Sequence, residues 1–135
     1  MGVELQKHSV ELQTRFEEDL PTVQGDRVQL QQVVLNLVMN AIESMDSVQP
    51  RVLKVQTDQA NPGLVRVSIE DTGTGIDPPD IDQIFKPLFT TKATGMGMGL
   101  SICRSIIESH GGRIWMSQGV NRGSIFQFEL PINTA

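Results

Sequence analysis

The sequence predicts an α+β fold, a two-layer sandwich in which about three helices cover one face of a mixed, mostly antiparallel sheet. Two segments, 27–45 and 100–110, carry apolar residues at helical spacing. Shorter alternating segments come partly in antiparallel runs separated by turns. The 135 residues suffice for one domain with its own core.

The elements of the first half follow in order from local patterns. Residues 10–16 alternate apolar and polar side chains, which predicts a half-buried strand. Asp26 is the expected N-cap of a helix over 27–45, because neither glycine nor proline interrupts that stretch. Two strands follow at 51–57 and 64–71, with an Asn-Pro-Gly turn between them.

The second half contains a long segment without a regular pattern. Residues 72–99 are rich in Gly, Pro and Thr, and one short helical piece is expected at 80–85. An amphipathic helix over 100–110 follows, and a glycine pair ends it. Two closing strands complete the pattern, at 113–117 and 123–130.

Composition narrows the classes of function. Eleven Lys and Arg against 16 Asp and Glu give a formal net charge of -5, which argues against nucleic acid or an anionic membrane surface as a partner. The single cysteine excludes an internal disulfide. No apolar run approaches the roughly 20 residues of a membrane span, so we expect a cytoplasmic domain without direct membrane insertion. A membrane anchor elsewhere in a full-length protein is compatible with this expectation.

The polar face of the first helix is unusual for a solvent-exposed surface. Asn36 and Asn40 lie one turn apart on a face that is otherwise mostly glutamine, although asparagine is a poor helix former. Their amide oxygens suit a hard cation such as magnesium. A pair of interior amides bonded to neighbouring backbone explains the same pattern equally well.

The predicted strand at 64–71 ends in a carboxylate that points toward the core. Asp71 has the parity of Ile69 and the other apolar residues of its strand, so its side chain points to the core and must meet hydrogen-bond donors. Gly73 and Gly75 follow and allow a ligand to approach the backbone. An Asx-turn at a strand end is the alternative explanation.

Residues 90–99 form a glycine-rich loop that leads directly into a helix. Gly95, Gly97 and Gly99 expose successive backbone N–H groups there, and Lys92 adds a cationic donor, which is typical of a phosphate site. A flexible loop without a ligand is the alternative. Amides for magnesium, a carboxylate for an exocyclic amine and a glycine loop for phosphates together indicate ATP.

Four segments resemble the boxes of the GHKL (Bergerat-fold) ATPases, in family order and with family spacing. They are an N box at Asn36-x-x-x-Asn40-Ala41, a G1 box at Asp71-x-Gly73-x-Gly75-Ile76, an F box at 85–92 and a G2 box at Gly95-x-Gly97-x-Gly99-Leu100. Within this superfamily, the F box and the Ser-His-Gly-Gly helix end look like the catalytic, ATP-binding domain (HATPase_c) of a bacterial two-component sensor histidine kinase.

The resemblance implies a role for each matching position. Asn40 would be the main magnesium ligand, and Asn36 a second contact near the phosphates. Asp71 would accept a hydrogen bond from the adenine amino group, with support from the inward-facing Ser124. Lys92 would face the terminal phosphate. Lys92 and Asn36 are therefore the candidate catalytic residues. The remaining positions expected to contact the nucleotide are Gly73, Gly75, Ile76, Gly95, Gly97, Gly99 and Leu100.

The resemblance also implies partners. Neither His8 nor His110 has a phosphoacceptor motif, so the acceptor histidine would lie on a separate dimerisation domain, normally in the same polypeptide, and a response regulator would act downstream. Residues 1–9 would then end a linker helix and 10–135 form the catalytic domain, which we expect not to phosphorylate itself in isolation. The alternatives are a stand-alone serine kinase of the anti-sigma-factor type and a nucleotide-binding module without catalysis.

Overall fold

The computed structural model describes residues 10–18, 23, 25–45, 50–59, 62–74, 84–85, 99–119 and 123–132. These residues form one five-stranded sheet and two helices, which confirms the predicted α+β class. In chain order the elements are β1 (Glu11–Phe16), α1 (Arg27–Ser44), β2 (Val52–Asp58), β3 (Leu64–Asp71), α2 (Gly99–Ser109), β4 (Arg113–Gln118) and β5 (Ser124–Pro131). Each end lies within one residue of the sequence prediction. The short helical piece expected at 80–85 falls mostly outside the described residues.

The strand order across the sheet is β1-β2-β3-β5-β4. β1 and β2 are parallel and are connected through α1, whereas the other neighbouring pairs are antiparallel. Because β3 and β5 are antiparallel neighbours, the end of β3 lies beside the start of β5, where Glu70 pairs with Ile125. This edge of the sheet brings together two parts of the chain that are more than fifty residues apart.

The core lies between the sheet and the two helices. Asp26 caps α1 by accepting a hydrogen bond from the backbone N–H of Gln29 at 3.0 Å. The apolar stripes of both helices and the alternate residues of the central strands are buried together. The largest contributors are Leu37, Ile42, Met45, Leu53, Ile69, Ile107 and Phe126. Neither described helix combines the length and apolarity that crossing a bilayer requires.

The first strand differs from its prediction in burial. β1 was expected to be half-buried, but all six of its residues are exposed, and Leu12 and Phe16 are exposed by 46% and 59%. The apolar residues of β1 do share one face of the sheet, because Leu12 aligns with the buried Leu53 of β2 and therefore lies on the helix-covered face. β1 is an edge strand, however, and the helices pack mainly against β3, β4 and β5, toward the other edge of the sheet. The half-burial prediction for this strand is therefore wrong.

The opposite face of the sheet is polar. One row across four strands alternates in charge from Asp58 to Arg66, Glu129 and Arg113. Ion pairs of 3.1 Å and 2.9 Å join the first two and the last two of these residues. Trp115 lies on this face under the Arg113 guanidinium, at 4.6 Å from the ring centroid. The charges keep this face from packing as a second core layer.

Candidate functional site

The structure describes seven of the twelve predicted site residues. They are Asn36, Asn40, Asp71, Gly73, Gly99, Leu100 and Ser124. The other five, Gly75, Ile76, Lys92, Gly95 and Gly97, lie outside the described residues, as do the linker segment 1–9 and residues 86–98. The described residues lie on α1, at the end of β3, at the start of α2 and at the start of β5.

Asp71 is buried at the end of β3, with 1% of its surface exposed. Its Oδ1 accepts hydrogen bonds from the backbone N–H of Gly73 at 2.9 Å and of Ser124 at 3.3 Å. The inward direction read from strand parity is therefore present in the structure. Ser124 was expected to support Asp71 through its hydroxyl, whereas the donor seen in the structure is its backbone N–H.

The chain after Asp71 is fixed to the end of α1. Thr72 donates its hydroxyl hydrogen to the carbonyl oxygen of Pro50 at 2.6 Å and accepts from the backbone N–H of Val52 at 3.0 Å. The N–H of Thr74 donates to the carbonyl oxygen of Ser44 at 3.2 Å. A Cβ on Gly73 would lie 2.5 Å from that same carbonyl oxygen, so only glycine allows this approach.

Gly123 is a site residue that the sequence reading missed. Its φ is +88°, and a Cβ there would overlap the carbonyl oxygen of Asp71. This close approach lets the following residue, Ser124, donate its N–H to the Asp71 carboxylate. A glycine directly before a strand whose first residue faces inward was the available signal. Its meaning depends on β5 lying beside β3, which local sequence does not reveal.

The two asparagines lie on adjacent turns of α1 and are both half-buried. The Sγ of Cys103, a buried residue of α2, lies 3.9 Å from the carbonyl oxygen of Val33, three residues before Asn36. Cys103 lies one turn after Gly99, so the first turn of α2 is beside the Asn36 turn of α1.

The start of α2 offers backbone donors. Gly99 and Leu100 are its first residues and are half-buried. The first N–H groups of a helix have no partner within the helix, and the helix dipole adds partial positive charge at that end. An anionic group therefore fits the α2 N-terminus, beside the Asn36 turn.

These features lie along one side of α1. Gly73 contacts Ser44 at its C-terminal end, Asn40 is one turn earlier and Asn36 one turn earlier again. From Ser44 back to Asn36 the helix rises about 12 Å. An elongated ligand can therefore extend from the buried Asp71 carboxylate, past two amides, to the α2 N-terminus. Among the described residues no cluster of three His, Cys, Asp or Glu side chains could hold a metal ion, so a cation here would depend on amide and ligand oxygens.

Comparison with known proteins identifies similar domains. Residues 25–134 match the family model described as histidine kinase-, DNA gyrase B-, and HSP90-like ATPase (HATPase_c). The chain is 44% identical to the sensor protein FixL of Bradyrhizobium diazoefficiens over 93% of its own length and 25% of that relative. The chain thus spans about a quarter of the length of this curated relative.

Solved structures show the same architecture. The catalytic domain of histidine kinase ThkA, in a nucleotide-free form, matches with a TM-score of 0.85 and 37% identity over 97% of this chain and 84% of that one. Full-length ShkA in complex with AMPPNP matches with a TM-score of 0.85 and 27% identity over 100% of this chain and 28% of that one. ThkA in complex with the response regulator protein TrrA matches with a TM-score of 0.81 and 34% identity, over 98% and 37%.

Proposed function

Because this chain belongs to the histidine kinase-, DNA gyrase B-, and HSP90-like ATPase family, we propose that it is the ATP-binding catalytic domain of a sensor histidine kinase. In this function it transfers the γ-phosphoryl group of ATP to a histidine on a dimerisation domain. The observation that carries the proposal is the buried carboxylate of Asp71, held by two backbone donors beside a helix that presents two asparagines. The similarity to ShkA, whose structure contains AMPPNP, supports a nucleotide as the ligand.

Asp71 recognises the adenine end of the nucleotide. An ionised carboxylate only accepts hydrogen bonds, so it favours the exocyclic amine of adenine over the carbonyl at the same position of guanine. Its Oδ1 is fixed by the N–H groups of Gly73 and Ser124, which orients the carboxylate plane before the nucleotide binds. The base thus meets a preorganised acceptor, and little ordering of the site is needed on binding.

The phosphate end lies against Asn40, Asn36 and the first turn of α2. Magnesium prefers near-octahedral oxygen coordination, and an asparagine carbonyl oxygen together with phosphate oxygens and water meets that preference. Bound there, the ion would neutralise charge on the transferred phosphoryl group. Gly99 and Leu100 contribute backbone N–H groups from the helix N-terminus.

Contacts from the rest of the glycine-rich segment are part of the same proposal. Lys92 faces the terminal phosphate, where its charge stabilises the transferred group. The positions that contact the base or the phosphates from this segment and from the G1 box are Gly75, Ile76, Gly95 and Gly97. The motif resemblance supports these assignments.

The proposed partners are the proteins that would supply the acceptor histidine and receive the phosphoryl group. The acceptor histidine belongs to a dimerisation domain, and the product phosphohistidine serves a response regulator, which the complex of ThkA with TrrA supports. We place this reaction in the cytoplasm, where ATP is available. The match to proteins named sensor kinases favours this function over an anti-sigma-factor serine kinase.

The magnesium assignment is tested by calorimetric titration of ATP with and without magnesium. The parent chain should bind ATP more tightly with magnesium, and Asn40→Ala should lower the affinity for magnesium-ATP by about 10-fold or more, because one oxygen ligand is lost. Affinity without magnesium should change little. Gln32→Ala, an exposed position two turns earlier on α1, is the matched control and should behave like the parent. An equal magnesium effect in Asn40→Ala and the parent would contradict the assignment.

A further inference from the structure

β1 is paired with β2 on one side only, so its other side is an edge of the sheet. The N–H of Glu11 donates to the carbonyl oxygen of Arg51 at 2.9 Å, and the N–H of Glu17 donates to that of Thr57 at 3.0 Å. Because backbone directions alternate along a strand, odd-numbered residues bond β2 and even-numbered residues direct their N–H and C=O groups away from it. Among the described residues no strand pairs with these outward groups, which belong to Val10, Leu12, Thr14 and Phe16.

The side chains of β1 form an apolar row on one face and a charged row on the other. Leu12 and Phe16 lie on the helix-covered face, and both are exposed. Glu11, Gln13 and Arg15 lie on the opposite face, where the Gln13 amide donates to Oε2 of Glu11 at 2.7 Å. In the part of the chain that the structure describes, no residue forms an ion pair with Arg15. An edge strand with outward backbone groups and exposed apolar side chains is a template for another strand, and this one contains neither proline nor lysine to oppose pairing.

We propose that the β1 edge binds a second copy of this chain, with the two β1 strands antiparallel about a two-fold axis at Gln13, so that two five-stranded sheets become continuous. In this register Glu11 of each copy lies opposite Arg15 of the other. The two residues form a pair of the type without mutual hydrogen bonds, in which opposed side chains are closest. The axis repeats the ion pair, so one strand supplies the complement to itself. This contact does not rest on the proposed function.

The same register also pairs the outward backbone groups and covers the apolar row. Leu12 lies opposite Thr14 of the second copy, and Phe16 lies opposite its Val10. All four are outward-facing residues, so each opposed pair exchanges two backbone hydrogen bonds. Phe16 gains an apolar neighbour on the helix-covered face, which removes apolar surface from water.

Neighbouring registers lack this charge complementarity. Outward residues can oppose only outward residues, so the pairing shifts in steps of two. An axis at Thr14 would place Glu11 opposite Glu17, and these like charges repel. An axis at Leu12 would give Arg15 no acidic residue opposite. One strand pair is a small interface, so we expect a weak dimer with a Kd of roughly 0.1–1 mM.

Charge reversal tests the dimer and its register by sedimentation velocity, with samples from roughly 10 μM to 1 mM. Arg15→Glu and Glu11→Arg should each weaken self-association by about 10-fold or more, because like charges then face each other. An equimolar mixture of these two variants should associate like the parent, because every reversed charge then meets an opposite one. Arg27→Glu, the same change at an exposed position of α1, is the matched control and should also associate like the parent.

Backbone pairing is tested by Thr14→Pro and by amide exchange. The N–H of Thr14 faces away from β2, so proline is tolerated there on an edge strand, but it blocks addition of a second strand. Thr14→Pro should keep the circular dichroism spectrum of the parent and stay monomeric. In the parent, the N–H groups of Leu12 and Thr14 should exchange more slowly in NMR as concentration rises, whereas those of Gln13 and Arg15, bonded to β2, should be protected throughout.

Several results would overturn the proposal. A parent chain that is monomeric at about 1 mM has no such dimer. A dimer that persists unchanged in Thr14→Pro and in both charge reversals uses another surface. Failure of the two charge-reversal variants to associate when mixed excludes the pairing of Glu11 with Arg15.

Discussion

At the scale of single residues, the buried carboxylate of Asp71 is the group that most narrows the choice of ligand in the proposed site. A carboxylate with 1% exposure would be destabilising without donors, and the structure provides two backbone N–H groups to its Oδ1. Both donors come from chain segments that a side chain at Gly73 or Gly123 would displace. Glycine is therefore required at both positions for the carboxylate at the end of β3 to keep its two donors.

Asp71→Asn tests the adenine assignment with little change in size. Its carbonyl oxygen can keep both backbone donors, but the other oxygen becomes an NH2 group that meets the adenine amine as a second donor. ATP affinity should fall about 10- to 150-fold, equivalent to roughly 1.5–3 kcal/mol, and the preference for ATP over GTP should disappear. Calorimetry with both nucleotides measures this effect.

The control for this experiment is the preceding residue. Glu70→Gln makes the same change of charge on the opposite face of β3, so its ATP affinity should equal that of the parent. Stability without nucleotide should stay nearly constant in Asp71→Asn, because the buried backbone donors remain paired. If Asp71→Asn binds ATP as tightly as the parent, Asp71 does not recognise adenine.

At the scale of elements, His110 links the end of α2 to the start of α1. Its Nδ1 donates to the carbonyl oxygen of Ile106 at 2.7 Å, and its Nε2 accepts from the backbone N–H of Asp26 at 3.0 Å. This pattern requires the neutral ring with its proton on Nδ1. The ring also packs against Gly25, where a Cβ would lie 2.6 Å from Cδ2. A helix-end histidine thus holds the N-cap of the other helix.

His110→Ala should lower the free energy of unfolding by about 0.5–1.5 kcal/mol, because the Asp26 N–H loses its protein acceptor and the ring leaves a space beside Gly25. Urea unfolding followed by circular dichroism measures this loss. Glu108→Ala is the matched control at the same end of α2, since it removes an exposed ion pair with Arg104 and should cost at most about 0.5 kcal/mol. Equal losses in the two variants would show that the link does not stabilise the domain.

At the scale of the whole molecule, neither of the two histidines is suited to accept a phosphoryl group at the proposed nucleotide site. Both ring nitrogens of His110 are engaged, Nε2 with the Asp26 N–H at the start of α1 and Nδ1 with the Ile106 carbonyl oxygen of α2. His8 lies outside the described residues and has no acceptor motif in the sequence. Phosphoryl transfer depends on an acceptor held in line with the γ-phosphate, so under the proposed function we expect a second domain to supply it.

We therefore expect the isolated chain to bind ATP without phosphorylating itself. Incubation with radiolabelled ATP should leave no acid-labile phosphate on this chain, and addition of a dimerisation domain from a related sensor kinase should give labelled phosphohistidine on that domain. Asp71→Asn at the same limiting ATP concentration should reduce the labelling in proportion to its loss of affinity. Acid-labile phosphate on His8 or His110 of the isolated chain would overturn this expectation.

The sequence by itself determined the type of every described helix and strand, and its bounds to within one residue. Periodicity is a local property, and the capping of α1 by Asp26 depends on residues three positions apart. Parity along β3 similarly indicated the inward direction of Asp71. The assignment of the motif amides and glycines to one site stays a prediction.

Only the tertiary structure decided which neighbours these residues meet. β1 alternates like a half-buried strand, yet its place at the sheet edge leaves it exposed. Gly123 matters because β5 lies beside β3, and Cys103 is buried where α2 packs on the Val33 turn of α1. Each of these contacts joins residues far apart in the chain, and its energy depends on packing that no local pattern encodes.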